Sequence, residues 1–123
     1  MLKKLKRKVE KNLKNETLNN LPSAQLSPFA QNDLRETWLY ISDNSREFAD
    51  RTIEEILQKC KFLAKNPKIG KTKDEIIIGL RSLPFKNYNI FYFQTESGIE
   101  IYRVLHSSRD NIQVFDDTID DAK

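Results

Sequence analysis

The sequence predicts an α+β fold in which a helical hairpin packs on a small, mainly antiparallel sheet. Two long segments with apolar residues at helical spacing come before residue 66, and each begins at a serine that can cap a helix. Three runs rich in Ile, Val, Phe and Tyr follow between residues 79 and 106. Strands gathered after helices are typical of an antiparallel sheet covered by helices on one face. The predicted order is β-α-α-β-β-β.

The first predicted elements are a short strand over residues 23–27 and a helix that begins at Ser27-Pro28. Serine is a favoured cap, and proline is favoured at the first helical position. The apolar face of this helix is Ala30, Leu34, Trp38 and Ile41. We therefore expect Trp38 to be a structural residue, buried between this helix and the sheet.

A second helix is predicted from about Arg46 to Lys65, with Ser45 as its cap and Asn66-Pro67 as its end. The connection between the two helices is short, so they should form an antiparallel hairpin. Cys60, the single cysteine, lies within the apolar pattern of this helix. It should be a buried structural thiol, and a chain with one cysteine can form no internal disulfide, which fits a cytoplasmic protein.

A loop over residues 68–78 precedes the three β-type runs, which cover residues 79–84, 88–95 and 99–106. Ser97-Gly98 predicts a tight hairpin between the last two runs. In the last run, Ile99, Ile101 and Leu105 occupy alternate positions, which face the same side of a strand, and Arg103 interrupts this apolar series. The pattern predicts a central strand buried on both faces. Residues 113–115 suggest one more short strand, and the acidic segment 116–121 is predicted to be mobile.

The chain of 123 residues divides into a basic extension (1–22), one domain (23–115) and an acidic tail (116–123). The first fourteen residues hold seven lysines and arginines against one glutamate, and the last fourteen hold five aspartates against one lysine. Leu2, Leu5, Val9 and Leu13 make the extension compatible with a basic amphipathic helix. No apolar run reaches the length of a membrane span, so no membrane partner is expected.

Cationic side chains along the β-type runs are the best candidates for function. Guanidinium groups bind carboxylates and phosphates through two parallel hydrogen bonds. One histidine and one cysteine, far apart, make no zinc site, and no nucleotide-binding motif occurs, so we expect neither metal nor cofactor. The candidate functional residues are Arg81, Arg109, Lys71, Lys73, Lys86 and His106.

Each candidate also has a structural interpretation. Arg81 could pair with Glu100 and stabilise the sheet, the loop lysines could be merely solvated, and His106 could be a hydrogen-bonded residue at a strand end. Arg103 lies in a mostly apolar strand and is expected to be paired and structural, because an unpaired buried charge is very costly.

Residues 79–92 and 101–110, together with 26–34 and 38–41, resemble the RelE/ParE toxins of bacterial type II toxin–antitoxin systems, and more closely the ParE branch. The resemblance covers residues 24–115 and implies the same α+β architecture. It implies a toxin that arrests growth by binding and poisoning DNA gyrase. It also implies a cognate antitoxin whose C-terminal segment wraps the toxin, with an amphipathic helix in the groove between the hairpin and the sheet.

Two other functions stay open. RelE-like ribosome-dependent mRNA endonucleases combine a lysine-bearing loop, a sheet arginine and a C-terminal arginine followed by an aromatic acid or base. Lys71, Lys73, Arg81 and Arg109 match this set, but Phe115 stands where a tyrosine is expected, and phenylalanine cannot transfer protons. No catalytic residue is therefore assigned. The third alternative is a non-toxic nucleic-acid-binding relative whose basic extension gives non-specific affinity.

Overall fold

The structure, a computed structural model, describes residues 23–109 and 111–122, so the basic extension lies outside the described residues. Its elements are β1 (Ser23–Leu26), α1 (Pro28–Ser42), α2 (Arg46–Lys65), β2 (Lys71–Thr72), β3 (Leu80–Phe85), β4 (Tyr88–Thr95), β5 (Gly98–His106) and α3 (Asn111–Ala122). The strands form one sheet in the order β1-β5-β4-β3-β2. Among the strands of the described residues, only β1 runs parallel to its neighbour, and the other pairs are antiparallel. The predicted α+β fold is confirmed.

The helical hairpin begins and ends where the local sequence predicts. The Ser27 hydroxyl accepts the backbone N–H of Ala30 at 3.0 Å, and the Ser45 hydroxyl accepts that of Phe48 at 3.1 Å. These two bonds satisfy N–H groups that have no partner within a helix. At the other end of α2, the N–H of Asn66 turns back to the carbonyls of Phe62 and Leu63. None of the helices in the described part of the chain is long and apolar enough to cross a membrane.

Two segments differ from the prediction. The loop over residues 68–78 contains the short edge strand β2, which pairs Lys71 with Ser82 on β3. Residues 113–115 form no strand: they belong to α3, which also includes the acidic segment expected to be mobile. Tertiary packing decides this placement, because Phe115 is buried against the sheet and Val114 is partly buried beside it, whereas Ile112 is 66% exposed.

The sheet has an apolar core on each face. Helices α1 and α2 cover one face, where Trp38 and Cys60 are buried with the aliphatic residues of the hairpin. The indole N–H of Trp38 donates to a carboxylate oxygen of Asp50 at 2.8 Å, which joins the two helices. The other face carries a smaller core of Leu80, Phe91, Leu105 and Phe115.

A β-bulge in β5 divides its side chains between these cores. Phe91 pairs with Arg103 and Tyr92 pairs with Ile101, which leaves Tyr102 as the extra residue. The bulge shifts the alternation, so the helix-facing set continues with Val104, while Leu105 packs in the opposite core. The shared parity expected for Ile99, Ile101 and Leu105 is therefore wrong beyond Tyr102.

Beyond the end of β1, the first turns of helix α1 cover the edge of β5. Strand β1 ends at Leu26, opposite Ile101, although β5 continues to His106. The backbone N–H of Ser27 donates to the Ile101 carbonyl at 2.9 Å, and its hydroxyl donates to the Tyr102 carbonyl at 2.7 Å. The carboxylate of Asp33 then accepts the N–H of Val104 at 2.9 Å. Buried backbone groups that lack a strand partner are thus satisfied by the first turns of a helix.

Asp33 also binds Arg103, and both side chains are almost completely buried. Nε and Nη2 of Arg103 donate to the two carboxylate oxygens at 2.8 and 2.7 Å, with side chains 11% and 2% exposed. Burial raises the pKa of Asp33, and the hydrogen bonds from Arg103 and from the Val104 amide oppose that rise. Arg103 is thus paired within the structure and holds α1 against the centre of β5.

We predict that Arg103→Ala lowers the free energy of unfolding by about 3 kcal/mol, because it leaves the Asp33 carboxylate buried without its charged partner. Urea unfolding followed by far-ultraviolet circular dichroism measures the change. The matched control is Arg51→Ala, which breaks an exposed pair with Glu47 and should cost less than about 1 kcal/mol. Equal losses in the two variants would contradict the structural role given to Arg103.

Candidate functional site

The sequence-predicted cations do not form one cluster. Lys71 is exposed on β2 and Lys73 is half-buried just beyond it, whereas Arg109 follows the end of β5 and is exposed. Strands β3 and β4 lie between β2 and β5. Three strand spacings amount to about 14 Å. The loop lysines and the C-terminal arginine are therefore on different parts of the surface.

Arg81 is engaged by the loop that follows α2. Its Nη1 donates to the carbonyls of Lys68 and Gly70, at 3.2 and 2.7 Å, so the guanidinium does not serve as the partner of Glu100 considered from the sequence. The Tyr92 hydroxyl accepts the N–H of Gly70 at 2.9 Å and donates to the Pro67 carbonyl at 2.8 Å. Burial raises the pKa of Tyr92, which keeps this hydroxyl protonated as the donation requires. A side chain at Gly70 would overlap the Tyr92 ring.

Lys86 and His106 lie at the end of the sheet where β3 turns into β4. We define this hairpin end by Tyr40, Lys86, Tyr88 and His106. Tyr88 is paired with His106 across β4 and β5, and their rings meet edge to face at 5.3 Å. Lys86 lies in the two-residue turn with a φ of 54°, a region that favours glycine, and its ammonium pairs with Glu55 of α2. Tyr40 of α1 is 81% exposed and lies near Tyr88, since burial first and then Tyr40 raise the pKa of the Tyr88 hydroxyl.

The imidazole of His106 is fixed by the turn that follows it. The backbone N–H of Ser108 donates to Nδ1 at 3.1 Å, and the Ser108 hydroxyl lies 2.7 Å from the same atom. Because an amide can only donate, Nδ1 is the acceptor and the proton of the neutral ring is on Nε2. The basic nitrogen is therefore occupied, and the exposed nitrogen is a donor. This arrangement suits binding to an acceptor better than proton abstraction.

Phe115 is packed inside the second core. Its side chain is 1% exposed, meets the Phe91 ring edge to face at 4.6 Å and stacks on the Tyr102 ring at 5.9 Å. A general acid or base must come within hydrogen-bonding distance of the substrate. A residue at position 115 faces other aromatic rings, so this position does not provide an acid or a base.

Sequence reasoning missed a cationic and aromatic contact between α2 and β3. The Lys59 ammonium lies over the rings of Phe62 and Phe85, at 4.7 and 5.5 Å from their centres. A signal was present, because Phe48, Thr52, Glu55, Lys59 and Phe62 recur at intervals of three and four residues. They form a second stripe on α2 beside the buried one.

Comparison with known proteins gives the same family in sequence and a similar fold in structure. The sequence model described as the ParE toxin of the type II toxin-antitoxin system parDE matches residues 24–111. Toxin ParE1 of Mycobacterium tuberculosis, in strains CDC 1551 / Oshkosh and ATCC 25618 / H37Rv, is 37% identical over 87 residues, 69% of this chain and 89% of that protein. A solved structure, titled "Chromosomal ParDE TA system from P. aeruginosa", has a TM-score of 0.59 at 20% identity, over 71% of this chain and 97% of that chain. At that identity, the likeness shows the shared fold.

We predict that Arg81→Ala lowers the melting temperature, because it removes the donor to two loop carbonyls. The free energy of unfolding should fall by about 1–3 kcal/mol, the usual contribution of hydrogen bonds from a charged group. Differential scanning calorimetry measures it. Lys71→Ala removes a neighbouring cation that is exposed and should leave the melting temperature within about a degree. If the two variants have the same melting temperature, Arg81 does not hold the loop.

Cys60 should be inert in the folded protein. Its side chain is buried, and burial raises the pKa of its thiol to about 12, so almost no thiolate exists at neutral pH. We expect Ellman's reagent to titrate no thiol in the native chain and one thiol in 6 M guanidinium. Rapid native labelling would mean that the core around α2 opens readily.

Proposed function

This chain belongs to the ParE toxin family of type II toxin–antitoxin systems, and we propose that it arrests bacterial growth by binding DNA gyrase rather than by cleaving RNA. The target follows from the resemblance to the ParE branch. The choice of binding over cleavage is supported chiefly by the burial of Phe115 among aromatic rings.

RNA cleavage needs cations around the scissile phosphate and a proton-transfer group beside them. Here Lys71 and Arg109 are separated by three strand spacings, and the guanidinium of Arg81 donates to loop carbonyls. His106 offers a donor and not a base. These placements support a toxin that acts by binding its target and not by cleaving RNA.

We propose the hairpin end, together with Arg109, as the surface that meets the target. Lys86, His106 and Arg109 are exposed there, beside the exposed ring of Tyr40. Lys86 keeps a positive φ despite its side chain, and strained backbone is often found at functional sites. Aromatic rings beside hydrogen-bond donors suit a protein partner with acidic groups.

A cognate antitoxin, encoded beside the toxin, would neutralise it in the cytoplasm. The similar solved structure is described as a ParDE toxin–antitoxin system, which supports a partner of this kind. A disordered antitoxin tail that folds on binding could cover much of a domain of this size.

The proposal is tested by growth and by supercoiling. Induced expression in a bacterium should cause filamentation, and the purified protein should reduce DNA supercoiling by gyrase. Arg109→Ala should weaken both effects at least tenfold with an unchanged melting temperature, because its side chain is exposed. Arg51→Ala, another exposed arginine, is the matched control and should retain both effects.

Two results would overturn the proposal. Unchanged supercoiling with codon-positioned cuts in mRNA would favour the RelE-like endonuclease. Normal growth, with salt-sensitive binding to DNA or RNA that is lost when residues 1–20 are removed, would favour the non-toxic nucleic-acid-binding alternative.

A further inference from the structure

Helix α2 carries a second set of side chains beside those it buries in the core. Its members recur at intervals of three and four residues, and we call them the outer stripe: Phe48, Thr52, Glu55, Lys59 and Phe62. The two phenylalanines lie at the ends of the stripe and are 55% and 41% exposed. Single exposed apolar side chains are ordinary on a protein surface. The charges between and beside the rings therefore decide what the stripe can bind.

The charges of α2 are divided between its two halves. Residues 46–55 hold four carboxylates and two arginines, a formal charge of −2, whereas residues 56–65 hold three lysines and no acid, a charge of +3. Such a division also suits the dipole of a single helix. An antiparallel second copy of α2 places each acidic half beside a basic half, whereas a parallel copy places like charges together.

The rings at the ends of the stripe fit an antiparallel pair of α2 helices. Phe48 and Phe62 are fourteen residues apart, so the midpoint between them is residue 55. A two-fold axis beside this midpoint brings Phe48 of one copy opposite Phe62 of the other, and the same contact forms again at the other end. In a two-fold symmetric interface every such contact occurs twice. Two exposed rings on each copy therefore become two ring pairs.

The charged residues beside the rings fit the same axis. Lys65 follows Glu47 by eighteen residues, which is five whole helical turns, so the two lie on one face of α2 with residue 56 midway between them. Both are exposed. Glu55 and Lys59, in the stripe itself, have residue 57 as their midpoint. The three midpoints differ by at most two residues, or about 3 Å along the helix, which side chains of this length can span.

Contacts within one copy prepare the centre of the stripe for this arrangement. The Lys59 ammonium lies over the rings of Phe62 and Phe85, at 4.7 and 5.5 Å from their centres, which keeps its charge beside the stripe. The carboxylate of Glu55 pairs with Lys86 of the turn before β4. The axis brings the two copies of Glu55 close together, and this pairing reduces their mutual repulsion.

We propose that the outer stripe binds a second copy of this chain, in a two-fold symmetric dimer whose α2 helices are antiparallel. The dimer does not depend on the identity of the toxin's target. One pair of helices buries less surface than the roughly 1,600 Å² of a standard interface, so the dissociation constant is expected to lie in the micromolar range.

The first experiment measures self-association. Sedimentation equilibrium of the full chain, over about 1 µM to 1 mM, should show a reversible monomer–dimer equilibrium. Phe62→Ala should weaken the dimer at least tenfold, or about 1.4 kcal/mol, because it removes both ring pairs. The matched control is Ile78→Ala, which truncates an exposed aliphatic residue outside α2 and should leave the dissociation constant unchanged.

A charge swap tests the antiparallel arrangement. Glu47→Lys and Lys65→Glu should each weaken the dimer at least about threefold and not abolish it, because exposed ion pairs are individually weak. An equimolar mixture of the two variants should dimerise as well as the unaltered chain, since each reversed charge then meets its opposite. The double variant Glu47→Lys/Lys65→Glu should also recover the dimer, although it carries both changes to the helix.

Three results would overturn the proposal. The first is a chain that stays monomeric throughout the concentration range. The second is a dimer that Phe62→Ala leaves intact, which would assign self-association to another surface. The third is a double variant as weak as the single ones, which would exclude the pairing of Glu47 with Lys65. A monomeric chain whose Phe62→Ala variant alone escapes neutralisation by the protein encoded beside it would assign the stripe to that protein.

Discussion

The carboxylate of Asp33 is the contact on which the architecture depends. Strand β1 covers less than half of the edge of β5, and the first turns of α1 cover the part beyond it. Asp33 accepts from the Val104 amide and from Arg103, so one side chain satisfies both a strand edge and a buried guanidinium. These bonds hold the first turns of α1 against the edge of β5.

The bulge at Tyr102 makes this contact available. Tyr102 and Arg103 together lie opposite Phe91, and the extra residue turns Arg103 from the pleat toward α1. The same insertion shifts Leu105 into the second core, where it meets Phe115. A single extra residue in β5 therefore links the ion pair on one side of the sheet to the aromatic core under α3 on the other.

The two arginines of the sheet have structural roles, so neither is available to bind a phosphate. Arg81 holds the loop after α2, and Arg103 holds α1, so neither guanidinium projects freely from the sheet. Among the candidate cations, the exposed ones are Lys71 on β2, Lys86 in the turn before β4 and Arg109 beyond β5. Lys86 belongs to the hairpin end, and its ammonium pairs with Glu55 of α2.

The sequence by itself determined the elements whose signals are local. Ser27 and Ser45 cap the helices, the apolar spacing fixes their inner faces, and the hairpin turns separate the strands, because each of these signals acts within a few residues. The family resemblance likewise came from motifs in order along the chain. What only the tertiary structure decided was which groups meet across long separations. Asp33 and Arg103 are seventy residues apart, and no local pattern specifies that they pair. The burial of Phe115, the hydrogen bonds from Arg81 to loop carbonyls and the position of the Lys59 ammonium over the Phe85 ring depend in the same way on how whole elements pack, which a periodic pattern does not encode.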